Sequence, residues 1–330
     1  MHTEEKNNNF KTMIGGQALI EGIMMRGPKM DAIAIRGKDG IQLETTPRKI
    51  RSKRSVLSWP FIRGAVNFFD SQVCGVRALM RSADLSPEAE ETATSKFDMW
   101  LEKKLGDKKF QSYLIGSAVA LGLGMSILLF FMLPNLIVSL FDSVIDNNLV
   151  RNLIEGLVRI TIFFAYMLIV SRLQEMKRVF SYHGAEHKTI RCYEAGEPLT
   201  VKNVRKHSRK HPRCGTSFLF VVLLLSILIF SVASSVLLAA VPSLEGLRGT
   251  FGYTLIMLVY KLLLLPLVVS VSYEINRLVG RFDNWFTRVL TMPGMWFQNF
   301  TTNEPDDNMI EVGIAALQAV LPEKKGEDLW

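Results

Sequence analysis

Residues 216–241 read TSFLFVVLLLSILIFSVASSVLLAAV, an uninterrupted run without a charged side chain. Two other runs are similar: the run from Tyr113 to Phe141 has no charge, and the run from Gly249 to Tyr273 has Lys261 as its one charge. A helix needs about 20 apolar residues to cross a bilayer, and each of the three runs is longer than that. The sequence therefore predicts at least three membrane-spanning helices and excludes a fully soluble protein.

The composition of the whole chain narrows the class of protein further. Of its 330 residues, 48% are hydrophobic and 21% are charged, and only 3 are cysteines. These values argue against a disulfide scaffold, a collagen-like repeat and a disordered chain. The first ten residues are polar, so we expect no cleavable signal peptide and a cytosolic amino terminus. The cysteines are then expected to be reduced thiols.

A fourth span is predicted at Leu153 to Ser171, although Glu155 and Arg159 interrupt its start. Between Gln174 and Thr216 the chain has ten Lys or Arg residues and four Glu residues, and such an excess of positive charge marks a cytoplasmic loop. Because the amino terminus is also expected in the cytosol, an even number of spans must separate the two. Glu155 and Arg159 are four residues apart and are expected to pair near the outer end of this helix.

These assignments predict a membrane protein that is mainly α, with four transmembrane helices, a small N-terminal β element and cytosolic helical segments. Apolar alternation on both sides of the turn GKDG (37–40) indicates strands between residues 14 and 47. The predicted order is a cytosolic β-rich region (1–58), an amphipathic interfacial helical region (59–110), transmembrane helices 1 and 2 (111–173), a cytosolic His-rich loop (174–216), transmembrane helices 3 and 4 (217–276) and a cytosolic tail (277–330).

Two helices outside the spans are predicted to be amphipathic. Trp59 to Met80 has a helical periodicity that three charged residues interrupt, which suits a helix lying at the membrane interface. In the tail, Ile310, Ile314, Leu317 and Leu321 share one side of a helix. That side is expected to dock on the rest of the protein.

Four of the five histidines lie between His183 and His211, and Cys214 follows three residues later. His183, Glu186 and His187 fit the pattern H-x-x-E-H, in which two imidazoles at i and i+4 share a helical face beside a glutamate. Imidazole and thiolate donors suit Zn²⁺. We therefore predict a zinc site in which His183 and His187 bind the ion, His211 or Cys214 is the third ligand, Glu186 is the general base and one position stays open for water.

The same loop allows other interpretations. Histidines in a basic loop can simply form hydrogen bonds or contact lipid phosphates. The basic residues of the segment 201–213 stand at helical spacing, and such a face attracts phosphates on anionic lipids or on a substrate, or serves only as a membrane anchor. No aromatic residues interleave with these charges, so nucleic acid is not an expected partner.

Two ionisable residues in the last span also bear on function. Glu274, at the predicted inner end, is either a further metal ligand or a solvated interfacial carboxylate. Lys261 lies five residues before Pro266 and is expected to face protein rather than lipid, because an isolated ammonium in hydrocarbon is costly. A kinked helix with a central charge occurs in transporters, whereas a pairing with Glu155 is the structural alternative.

Five motifs are distinctive: IGGQALIEGIMMRGP (14–28), YHGAEHKTI (182–190), HPRCGTSF (211–218), SYE (272–274) and EPDDNMIEVGIAAL (304–317). They resemble the YqhQ-like family of bacterial integral membrane proteins, a family of unknown function that has been described as predicted metal-dependent enzymes. The resemblance covers nearly the whole chain. It implies a cytoplasmic-membrane protein whose suspected metal residues are His183, Glu186, His187, His211 and Cys214, with His207 outside the pattern, and it implies no substrate.

The leading hypothesis is a metal-dependent hydrolase in the bacterial cytoplasmic membrane, with both termini and a zinc site on the cytosolic side and an amphipathic or membrane-associated substrate. Its expected partners are the lipid bilayer and anionic lipid headgroups. One alternative is a non-enzymatic membrane protein in which the metal is a structural clip. Another is a transporter or lipid-binding protein that uses Lys261 and the segment 201–213.

Overall fold

A computed structural model describes residues 10–48, 52, 55–85, 107–142, 144–145, 147–282, 284–324 and 326–329, without the side chains of residues 107–115. Parts of the predicted regions 1–58 and 59–110 lie outside the described residues. Among them are the first nine residues, on which the prediction about a signal peptide rests.

The described residues are mostly helical. The helices are α1 (Ile62–Leu85), α2 (Asp107–Ile127), α3 (Leu133–Ser139), α4 (Asn148–Val170), α5 (Gln174–Glu194), α6 (Val201–Lys206), α7 (Gly215–Ala240), α8 (Phe251–Arg281), α9 (Trp285–Thr301) and α10 (Asp307–Gln318). A π-helical segment, Leu128–Met132, joins α2 to α3.

Four strands near the amino terminus form an antiparallel meander in chain order: β1 (Gly15–Leu19), β2 (Gly22–Arg26), β3 (Met30–Gly37) and β4 (Gly40–Pro47). Gly37 pairs with Gly40 across a two-residue turn, and Gly40 has a φ of 124°, which only glycine adopts readily. The β element predicted over residues 14–47 is therefore confirmed.

The chain divides into two compact units. The first contains the described residues of Met1–Ala89, Met167–Val222 and Val269–Trp330, and the second contains those of Glu90–Tyr166 and Leu223–Val268. The first unit holds the sheet and the His-rich segment. The second unit holds most of the apolar helical length.

In the first unit, helices cover both faces of the sheet. Successive side chains of a strand point to opposite faces, so Ile23 and Met25 of β2 pack against α5 and α10, while Met24 packs against Ala78 of α1. Leu317 of α10 is fully buried in this core. The predicted docking helix in the tail is thus confirmed, and α5 is held against a rigid sheet.

Four helical segments are long and apolar enough to cross a membrane: Gly116–Ser139, Asn148–Val170, Gly215–Ala240 and Phe251–Arg281. The prediction of four candidate spans is confirmed, including the fourth one, which depended on the charge argument. The last span continues to Arg281, beyond its predicted end at residue 276.

Buried charges inside the second unit form an ion-paired cluster. Nη2 of Arg159 lies 2.7 Å from Oε1 of Glu155, and Nζ of Lys261 contacts the same oxygen. Nε of Arg159 also donates to the carbonyl of Phe130 at 2.8 Å, within the π-helical segment. Lys261 is 3% exposed, so it faces protein, and its partner is Glu155.

Two features of the remaining segments differ from the sequence prediction. The helical spacing of the basic residues in the segment 201–213 extends beyond the helix that forms there: α6 ends at Lys206, and His207 is extended with φ −78° and ψ 158°. The chain leaves the helix because backbone groups of the following residues bond to side chains elsewhere. Helix α9 was not predicted, although Asn284 caps it with a reciprocal bond to Thr287.

Candidate metal centre

Helix α5 carries His183, Glu186 and His187, and a glycine in its middle allows another segment to pack closely. A Cβ atom on Gly184 would lie 2.0 Å from the carbonyl oxygen of Asn303. The amide of Asn303 donates to the carbonyl of Phe180 at 2.8 Å, which ties the chain after α9 to α5. The glycine of the H-x-x-E-H motif is therefore needed for the close approach that buries the motif.

Backbone carbonyls fix the orientation of both imidazoles on α5. Nδ1 of His183 lies 2.8 Å from the carbonyl oxygen of Thr301, and Nδ1 of His187 lies 2.6 Å from that of Arg209. A carbonyl oxygen can only accept, so each Nδ1 must carry the hydrogen. In the neutral rings, both Nε2 atoms then present lone pairs, which is how protein-bound metals are ligated by histidine with a fixed outer partner.

Three donor atoms converge at this point. Nε2 of His183 lies 3.1 Å from Sγ of Cys214, and the ligand atoms of His183, His187 and Cys214 all lie within 4.8 Å of one another. Nε2 of His187 is buried and has no hydrogen-bond partner within the described residues. An unpaired buried polar atom is costly, and a metal ion at this position would satisfy it.

The charges of these side chains also suit a cation. Burial acts to raise the pKa of the Cys214 thiol, but His183 and His187 together hold it well below its usual range. Burial acts to lower the pKa of His183, but Cys214, Glu186 and the Thr301 carbonyl together raise it to about 9. The protein thus stabilises a thiolate beside a proton on Nε2 of His183, and a zinc ion could take the place of that proton.

Glu186 lies beside the three donors rather than among them. Its Oε1 accepts a hydrogen bond of 2.9 Å from the amide of Gly16, whereas its Oε2 is buried without a hydrogen-bond partner within the described residues. Burial raises the pKa of Glu186, although His187 and His183 act in the opposite direction. The described donor group does not include its oxygens. The structure therefore places Glu186 outside the group of three donors.

His211 is close to the group but has other partners. Its Nε2 lies 3.3 Å from Oε2 of Glu194, and Gln298 of α9 bonds its backbone amide and carbonyl at 2.8 and 2.7 Å. Burial lowers the pKa of His211 to about 4, against the effect of Glu194. The ring is therefore neutral at pH 7. Of the two alternatives for the third ligand, the structure brings Cys214, not His211, into the donor group.

Glu274, the other candidate ligand, lies elsewhere. Its carboxylate forms a two-bonded ion pair with Arg63 of α1, with N–O distances of 2.7 and 2.5 Å. It does not belong to a donor group within the described part of the chain. Glu274 thus helps to fix α1 to α8.

A second group of close donors contains Cys192, Glu197 and His207. Burial and the nearby Glu197 raise the pKa of Cys192 to about 11, so this thiol stays protonated at neutral pH. A protonated thiol is a poor metal ligand. The group around Cys214 is the better candidate.

Several contributors to the candidate metal centre were not predicted from the sequence. Gly16 donates a backbone amide, Thr301 and Arg209 provide backbone carbonyls, and Gln298 holds the His211 segment. Partners that act through a backbone amide or carbonyl cannot be recognised from the residue type, because nearly every residue has these groups. Gln298 had a weak signal, because a polar side chain on the buried side of a helix must find hydrogen-bond partners.

Comparison with known proteins identifies related sequences. A family described as "Protein of unknown function (DUF1385)" matches residues 59–323. The chain is 32% identical over 314 residues to a Bacillus subtilis (strain 168) protein described as "Uncharacterized protein YqhQ", and the alignment covers 93% of this chain and 92% of that protein. No solved structure matches the chain. Neither description contains a metal, a substrate or a reaction.

Proposed function

We propose that this protein, which belongs to the DUF1385 family, is a zinc-dependent membrane hydrolase whose ion is held by His183, His187 and Cys214. The observation that carries the proposal is the convergence of three buried donors whose two imidazoles are locked by Nδ1–H bonds to carbonyl oxygens. Two imidazoles and one thiolate suit zinc better than magnesium or calcium. Three protein ligands also leave a fourth position, as in catalytic rather than structural zinc sites.

The chain supplies the remaining parts of a hydrolytic site. When bound, zinc would lower the pKa of a coordinated water to about 7. Glu186 is held through Oε1 by the amide of Gly16, and its Oε2 is left to accept a proton. A carboxyl with a raised pKa keeps a proton more readily once it has one, so Glu186 can return the proton to a leaving group.

The first test is the metal content of purified full-length protein. We expect about one equivalent of zinc in the wild type and a large loss in His187→Ala. His207→Ala is the matched control, because it removes an imidazole from the neighbouring Cys192 group and should leave the zinc in place. Zinc below about a tenth of an equivalent in the wild type, with His187→Ala no different, contradicts the proposal.

A structural metal clip is the second candidate, and the burial of the donors favours it. His187 is 1% exposed and Glu186 is 5% exposed, which leaves little room for a substrate at the ion itself. Glu186→Gln separates the two functions. It should keep the metal in both cases, but it should abolish complementation of a deletion strain only if Glu186 transfers protons.

A cysteine nucleophile is a weaker explanation of the same geometry. The pair of Cys214 and His183, with Nδ1 of His183 bonded to a carbonyl, resembles an activated thiolate. It leaves the unpaired atoms of His187 and Glu186 unexplained, however. The metal site accounts for all four side chains.

The transporter alternative depended on Lys261. Its ammonium pairs with Glu155, and Arg159 shares that carboxylate, so the charge has the structural partner that burial among apolar helices requires. We propose instead that the four spans anchor the site, with the bilayer as partner, and that both termini and the candidate metal centre lie on the cytosolic side of a bacterial cytoplasmic membrane. The support is the excess of basic residues between Gln174 and Thr216.

A further inference from the structure

A cavity of about 640 Å³ opens beside the candidate metal centre, within the first unit. Its walls come from the segment before β1, the end of α5, the His211 segment, the end of α8 and the start of α9. His211 lines this cavity, and its ring centroid lies 5.6 Å from that of His187. The cavity therefore lies next to the metal ligands without containing them.

The polar part of the cavity wall has an excess of positive charge. Among the residues that the structure describes, the charged ones in this wall, apart from histidines, are Lys11, Arg191, Glu194, Arg213 and Arg288. The carboxylate of Glu194 is already engaged, because it accepts hydrogen bonds from Arg213, the amide of Thr12 and the ring of His211. Because Arg213 is the partner of Glu194, Lys11 and Arg191 are the cations that we expect to attract an anion, and the wall of a cavity focuses that attraction.

Arg191 is the cation that the end of α5 contributes to the cavity wall. Its Nε donates to the carbonyl of Lys210 at 2.5 Å. Burial lowers the pKa of its guanidinium, and Arg213 lowers it further, against the effect of Glu194. A second anion in the cavity would stabilise the charged form. A guanidinium matches the oxygens of a phosphate in particular, since it can donate two parallel hydrogen bonds.

Another part of the cavity wall is apolar. Val279 comes from the end of α8, Phe282 follows directly after that helix, and Met292 and Met295 come from α9. A ligand that fills this space should therefore have an apolar part attached to its anionic group. Inorganic phosphate alone would leave the apolar wall without a partner.

Helix α9 contributes to the cavity wall and also has an exposed apolar side. Its exposed side carries Trp285, Phe286, Val289, Met292 and Trp296, and the two tryptophans are 74% and 52% exposed. Met292 belongs both to this exposed side and to the cavity wall. Exposed tryptophans on an amphipathic helix are typical of the membrane interface, and α9 begins only four residues after the end of the span α8.

We propose that this cavity binds the phosphate group of an anionic lipid, with Lys11 and Arg191 beside the phosphate and the apolar wall beside the first part of the chains. The shared chemistry is recognition of a phosphate anion, and the exposed side of α9 favours a lipid as its source over free phosphate. The proposal does not rest on the metal.

Binding is measured on full-length protein in a neutral detergent with three soluble probes: dioctanoyl phosphatidylglycerol, dioctanoyl phosphatidylcholine and inorganic phosphate. We expect the phosphatidylglycerol to bind most tightly. Lys11→Gln and Arg191→Gln should each weaken it about tenfold, the value of one charge-assisted hydrogen bond. The control Lys202→Gln removes the same charge from exposed α6, outside the cavity, and should bind as the wild type does.

Each possible result either identifies the source of the bound phosphate group, a lipid or free phosphate, or contradicts the proposed site. Inorganic phosphate binding as tightly as the lipid, with the same loss in Arg191→Gln, keeps the phosphate site and assigns it to a soluble source. Equal binding of phosphatidylcholine and phosphatidylglycerol, or unchanged binding in both cavity variants, overturns the proposal. Arg191→Lys should recover part of the affinity, which excludes a folding defect. His187→Ala, which is expected to lose zinc, should still bind the lipid. Failure of the metal hypothesis can therefore be distinguished from failure of the lipid-binding proposal.

Discussion

Replacing Gly184 by alanine should weaken both the fold and the candidate metal centre. The added Cβ would lie 2.0 Å from the carbonyl oxygen of Asn303, whereas ordinary contact begins at 3.4 Å. The two segments must therefore move apart until this contact lengthens from 2.0 Å to at least 3.4 Å. Because the opposing atom belongs to the backbone, a rotation of a side chain cannot relieve the clash.

This displacement should break two hydrogen bonds that Asn303 donates, one from its backbone amide and one from its side chain. The amide of Asn303 donates to the carbonyl of Phe180 at 2.8 Å, and its side chain donates to that of Lys177 at 3.1 Å. Overpacking of this kind costs about 1–3 kcal/mol, and each lost hydrogen bond costs about 1 kcal/mol more. The better helix propensity of alanine returns about 1 kcal/mol. The net loss should be about 2–4 kcal/mol.

The movement should also reach the proposed metal ligands, because Thr301 stands two residues before Asn303 and its carbonyl holds Nδ1 of His183. The measurements are the melting temperature and the zinc content of the purified variant. Gly122→Ala is the control, since the Cβ at Gly122 meets no atom within 4 Å, and it should melt at or above the wild-type temperature because alanine favours a helix more than glycine does. If Gly184→Ala melts at the wild-type temperature and keeps its zinc, the close packing of the chain after α9 against α5 is refuted.

Three further predictions concern the membrane helices and the ion. Lys261→Leu leaves the carboxylate of Glu155 with fewer partners and should destabilise the protein by about 3 kcal/mol, while adding Glu155→Gln should recover part of that loss; an unchanged melting temperature in the single variant contradicts the ion pair. A single cysteine at Arg205 should resist a membrane-impermeant thiol reagent in intact cells, whereas one at Asn147 should react, and labelling at Arg205 alone would reverse the proposed topology. Removal of zinc by a chelator should lower the melting temperature, because binding to the folded state alone stabilises it, and added zinc should restore the value; no shift in either direction argues against a bound metal.

Hydropathy and charge alone predicted much of the helical framework. An uncharged apolar run of more than about 20 residues is long enough to cross a bilayer as a helix. The four candidate spans therefore follow from the local composition of the sequence. The fourth span, α4, needed the charge balance of the following loop, since Glu155 and Arg159 reduce its own hydropathy. The pairing of those two side chains also followed from their spacing on a helix.

For helix α9 and the segment after Lys206, the sequence pattern was not sufficient to predict the local structure. The sequence of α9 contains Pro293 and aromatic residues whose exposure only tertiary structure reveals, so it was taken as part of the tail. The basic residues of the segment 201–213 have helical spacing, but the carbonyl of Arg209 and the backbone of His211 serve His187 and Gln298 instead. These long-range bonds outweigh a local preference for helix.

The sequence by itself determined the kinds of donor at the candidate metal centre, two imidazoles four residues apart on α5 and a thiol before α7. Tertiary structure decided which of them can act together, and in what state. It placed Cys214 beside His183 and left His211 with Glu194. It also directed both Nε2 atoms inward, because carbonyl oxygens of Thr301 and Arg209, distant in sequence from α5, can only accept the Nδ1 hydrogens.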